Sequence, residues 1–169
     1  MSTRKIVTYG ILIAAAFVLS YLESLIPPLV AVYGMKLGLT NLVVLVALYL
    51  IGTKSALVIN IIRVLLVGLL FGNIISLAYS LAGAVLSWVV MILLKKSGKF
   101  GMVTVSIAGG VFHNIGQILV AMLIFRTVAV GWYLLILWFT GIAAGAIIGI
   151  IGGLLCKRLK GIIAKGAAI

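Results

Sequence analysis

The chain has 169 residues, 66% of them hydrophobic and only 8% charged, with a mean hydropathy of +1.47. Soluble domains carry about 25% charged residues, and apolar runs recur here along the whole length, which excludes a soluble fold and predicts one all-α polytopic membrane domain over residues 1–169. The 13 Lys and Arg against a single acid, Glu23, give a formal charge of +12; most stand at the ends of apolar runs, so they read as topology signals facing anionic lipid, and no nucleic-acid partner is expected.

Six spans are predicted in chain order. The first, residues 6–26, stops at Pro27-Pro28, which cannot continue a helix. It exceeds the roughly 7–15 apolar residues of a signal-peptide core and lacks a small-residue cleavage site, so it is expected to be retained. Small residues form two lines on it, Gly10 with Ala14 and Ala16 with Ser20, each four apart and therefore on one helix face. The second span, residues 37–51, follows "YGMKLGLTN" and is short for a bilayer. The third, 55–71, holds Asn60 and Arg63 within an otherwise apolar stretch, "INIIRVLLV", and closes at the turn signal Gly72-Asn73. The fourth, 74–94, ends in Lys95, Lys96 and Lys99. The fifth, 102–125, contains the densest polar cluster, "FHNIGQ", in which His113 and Gln117 share a face beside Asn114. The sixth, 132–156, repeats glycine at every fourth position, Gly141, Gly145, Gly149 and Gly153. That spacing makes a groove for close backbone approach, by a neighbouring helix or by a partner protein.

Lysine and arginine orient the chain. An even span count puts both termini, the 2–3 loop and the 4–5 loop on one side, with ten basic residues against two on the other. Both termini are therefore expected in the cytoplasm of a cell-membrane protein. Helical rise then assigns depth. Glu23, Lys36, Asn41, Tyr79, His113, Asn114 and Gln117 fall from the middle to the outer side, and a long Arg63 side chain beside Asn60 can reach toward the same layer. The inner half is small and aliphatic. Polar groups inside a bilayer are expensive and usually face a cavity, so these residues predict an outward-facing pocket closed toward the cytoplasm. Its surplus of cations over one carboxylate points to a small anionic or electron-rich substrate. The alternative is that the polar groups satisfy one another between helices.

Independent catalysis is not expected, nor is a cofactor. The chain has no Asp to hold Mg²⁺ against a diphosphate, and no P-loop. One His and one Cys cannot supply a protein-only zinc site.

The stretches "AAAFVLSYLESLIPP", "GMKLGLTNLVVLVALYLIG", "NIIRVLLVGLLFGNIISLAYSLAGAVLSWVVMILLKK" and "GGVFHNIGQILVAM" resemble the Gx transporter family, also labelled heptaprenyl diphosphate synthase component I. That family is in turn similar to the substrate-binding S components of energy-coupling factor (ECF) vitamin transporters. The resemblance implies a six-helix S-component-like bundle that captures a small nutrient from outside. It also implies docking on a transmembrane coupling protein with two ATPases, through small residues of the first helix. S components commonly show Ala-x-x-x-Ala there; this chain has Val18 four residues after Ala14 and Leu19 four after Ala15. Two readings follow: a membrane binding protein for an isoprenoid-, flavin- or quinone-related nutrient, or a non-catalytic membrane scaffold for prenyl diphosphate or quinone synthesis.

Overall fold

A computed structural model describes residues 3–25, 38, 40–72 and 74–166. The described chain is helical throughout: α1 (Thr3–Leu25), α2 (Asn41–Leu50), α3 (Thr53–Phe71), α4 (Ile74–Ser97), α5 (Met102–Phe125), a short 3-10 helix (Val128–Trp132) and α6 (Tyr133–Gly166). Glycine sets two of the breaks. Gly52, between α2 and α3, has φ 123° and Gly98, after α4, has φ 67°, a region that a residue with a Cβ seldom adopts. At the first break the N–H groups of Ile51 and Gly52 both donate to the Ala47 carbonyl, at 2.9 and 3.0 Å.

Four stretches are long and apolar enough to cross a membrane: Thr53–Leu70, Ile74–Ser97, Met102–Phe125 and Tyr133–Lys160. The apolar part of α1, Ile6–Leu22, and all of α2 are shorter. The six helices occupy the six predicted places; α5 keeps its predicted bounds, 102–125, and the others differ in length. At 10 residues, α2 rises only about 15 Å, half of a ~30 Å hydrocarbon core. α6 runs on to Gly166, past the expected end at 156, because Lys157, Arg158, Leu159 and Lys160 are good helix formers and no proline intervenes.

Helix packing follows a closed order: α1 against α3, then α4, α5, α6, α2 and back to α1, with α2 also touching α3. Packed between α1, α3 and α6, α2 is the most buried element. Val43 to Leu48 are all buried, and Leu48 is 0% exposed. Ala16, Ala56, Ile59, Met91, Val105 and Ile148 complete that core. Lys95 of α4 closes the end of α2: its Nζ donates to the Leu48 carbonyl at 2.5 Å and lies 4.9 Å from the Tyr49 ring centroid. The last carbonyls of a helix have no intrahelical donor and sit at the negative end of its dipole, so a cation suits them.

Glycines let α5 pack tightly on both sides. A Cβ at Gly141, Gly145 or Gly149 of α6 would meet α5 backbone at 3.2, 2.6 and 2.7 Å respectively, so this line serves α5–α6 packing inside the bundle. Gly153 has nothing within 4 Å, and Gly152 instead faces Leu45 of α2. On the other side of α5, a Cβ at Gly116 would meet the Gly83 backbone of α4 at 2.8 Å. The two lines on α1 also part. Ala16 is 0% and Ser20 2% exposed, with Ser20 Oγ 2.8 Å from Thr40 Oγ1. Gly10 and Ala14 are exposed.

Candidate functional site

Asn60 and Arg63 stand three residues apart on α3, which stacks their side chains on one face. Arg63 Nη2 donates to Asn60 Oδ1 at 2.7 Å. Length alone suggested a reach toward the far end of the helix, but this bond turns the guanidinium toward an acceptor one turn nearer the start of α3. Asn60 is 2% exposed and its Nδ2 donates across to the Ala84 carbonyl of α4 at 3.5 Å. Arg63 is the eleventh of 19 residues in α3, so the pair lies midway along the helix.

His113 of α5 meets the neighbouring residue of α4. A Cβ on Gly83 would stand 2.7 Å from the His113 carbonyl oxygen and 3.0 Å from Cε1 and Nδ1; only glycine leaves room for the ring. The imidazole Nδ1 is buried and makes no well-formed hydrogen bond to a described residue, although the Gly83 backbone lies beside it. Asn60 of α3 bonds the carbonyl of Ala84, the residue after Gly83, which puts the α3 pair and the His113 contact at the same level of α4. His113 is the twelfth of 24 residues in α5 and Gly83 the tenth of 24 in α4. A polar layer therefore crosses α3, α4 and α5 at mid-height. The Tyr79 hydroxyl is also buried, on α4 four residues before Gly83 and hence on the same face.

The remaining expected site residues are more dispersed. Asn114 turns to the opposite neighbour, donating through Nδ2 to the Leu137 carbonyl of α6 at 2.7 Å, next to Gly141. Gln117 is half-buried one turn beyond His113. Asn41 opens α2 with its backbone N–H on the Gly38 carbonyl at 2.8 Å. Lys36 lies outside the described residues, as does the side chain of Glu23, so their expected pairing with each other or with Arg63 does too.

Four polar contacts between elements had no counterpart in the sequence reading: Ser20 with Thr40, Lys95 with Leu48, Tyr9 with Ser55, and Trp88 Nε1 donating to the Thr53 carbonyl at 3.0 Å. Ser20 does leave a signal, since it interrupts an apolar run. Among the described residues, no three His, Cys, Asp or Glu come together in a way that could hold a metal ion. What the central layer offers is a fixed guanidinium, an amide and an imidazole nitrogen. Such groups bind and orient an anionic or electron-rich partner.

The family model for heptaprenyl diphosphate synthase component I matches residues 12–155, a range that includes every residue of the central layer. No curated protein and no solved structure matches the chain.

Proposed function

The chain belongs to the heptaprenyl diphosphate synthase component I family, and from that membership we propose that it is a non-catalytic membrane protein that binds a small anionic or electron-rich nutrient. The substrate class is isoprenoid-, flavin- or quinone-related. Entry is from the outer side, with both termini cytoplasmic, and a separate coupling protein with ATPases supplies the energy. The exposed Gly10 and Ala14 strip of α1 is the surface open to that partner. The observation behind this reading is the mid-bundle layer of Asn60, Arg63 and His113, with a buried His113 Nδ1 that lacks a well-formed bond among the described residues. Intramembrane ionisable groups are costly enough that a functional reason is the default expectation.

A second reading, a scaffold for prenyl diphosphate or quinone synthesis, draws on the family description. It also draws on two bonds in which polar groups satisfy the protein itself, Arg63 to Asn60 and Asn114 to Leu137. Native mass spectrometry of the purified protein, titrated with geranyl diphosphate and with geraniol, separates the two. Binding predicts retention of the diphosphate but not the alcohol. Arg63→Leu and His113→Leu variants that melt like the parent should lose affinity by about tenfold or more, as for a charge-assisted hydrogen bond. Equal behaviour of the two probes, or unchanged binding in both variants, favours the scaffold.

A further inference from the structure

Away from the central layer, α3 and α4 enclose a groove of about 260 Å³ between Thr53 and Lys54 of the one and the Trp88–Lys96 stretch of the other. Val89, Ile92, Leu93 and Lys96 recur at i, i+3, i+4 and i+7, so they line one face of α4. Val89 is 39% and Leu93 63% exposed, and both lysines are exposed. The Trp88 to Thr53 bond at 3.0 Å ties the wall on α4 to the first turn of α3 and fixes the spacing between them. Polarity changes along the groove. The α4 wall is apolar at Val89 and cationic at Lys96, about 10 Å farther along at 1.5 Å per residue, and Lys54 stands on the α3 wall opposite, next to the Thr53 that Trp88 bonds.

Among the described residues, no carboxylate balances the two lysines. The only acid in the chain is Glu23. The part of α1 that reaches this end of the bundle is Tyr9, whose hydroxyl lies 2.5 Å from Ser55 Oγ. Glu23 sits a further ~21 Å along the same helix. We propose that the groove binds one anionic phospholipid of the surrounding leaflet, with its phosphate between Lys54 and Lys96 and an acyl chain along Val89, Ile92 and Leu93. A soluble anion would use the lysines and leave the apolar wall bare. A zwitterionic lipid would add a cation where two already stand. The graded polarity has the same order, head group outward and chain inward, as a lipid in its own leaflet.

The test is native mass spectrometry of the full chain released from nanodiscs of equal phosphatidylglycerol and phosphatidylcholine. One phosphatidylglycerol should be retained in preference. The double variant Lys54→Gln with Lys96→Gln should retain it about twenty-five-fold less, each basic side chain contributing roughly fivefold. Val89→Trp fills the groove but keeps both cations, and it should lose the lipid as well. Lys157→Gln with Arg158→Gln removes the same charge elsewhere and should keep it, and added inorganic phosphate should not displace it. Each variant is compared at a melting temperature matching the parent. Equal retention of the two lipids, unchanged retention in either groove variant, equal loss in the α6 variant, or displacement by phosphate would each overturn the proposal. None of these outcomes depends on Arg63 or His113.

Discussion

His113 and Asn114 are adjacent in sequence yet serve different neighbours, because successive residues on a helix point about 100° apart. His113 meets Gly83 of α4, and Asn114 bonds the Leu137 carbonyl of α6. The density of "FHNIGQ" was legible in the sequence; the division of labour within it was not, since it depends on which helices flank α5. Lys95 teaches the same lesson. It read as a topology signal, and its contact with Leu48 arises only because α4 ends beside the end of α2. The bond made by Asn114 has a modest expected worth. Interhelical side-chain hydrogen bonds in membranes average about 0.6 kcal/mol, so Asn114→Leu should lower unfolding free energy in mixed micelles by about that amount. A loss of several kcal/mol would mean that Asn114 supports more than this bond.

Small residues decide how the helices meet, and their spacing was readable in advance even though their partner was not. The line on α6 pointed first to internal packing, with a partner protein as the alternative. Backbone distances now assign Gly141, Gly145 and Gly149 to α5. Gly145→Leu would drive a Cβ to 2.6 Å from Ile107 Cα, which backbone cannot relieve by a rotamer change. It is expected to cost at least the upper part of the about 1–3 kcal/mol overpacking range. Gly10→Leu, with nothing within 4 Å of its Cβ, should change stability by less than about 0.5 kcal/mol. Thermal unfolding of the two variants side by side checks the contrast, and similar losses would contradict the packing described. The burial of α2 was the least legible feature. Its apolar run gave no sign that a helix only 10 residues long would become the most enclosed element.

Over the whole molecule, charge placement and packing agree on which elements end together. The end of α2, the start of α3, the end of α4 and the early part of α1 are joined by Lys95 to Leu48, Trp88 to Thr53 and Tyr9 to Ser55. Lys54, Lys95 and Lys96 belong to this end. The positive-inside rule assigns such an end to the cytoplasm. Fluorescent-protein fusions after residue 169 should therefore glow, and alkaline phosphatase fusions there should be inactive; the reverse result would invert the orientation. The enclosure of α2 also has a consequence in time. Its Leu48 carbonyl waits for a lysine 47 residues downstream, a delay of about 2–10 s at typical elongation rates of about 5–20 residues per second. Its contact with α6 waits longer still. The second helix to leave the ribosome is thus among the last to find its permanent neighbours, and until then it depends on α1 and α3 alone.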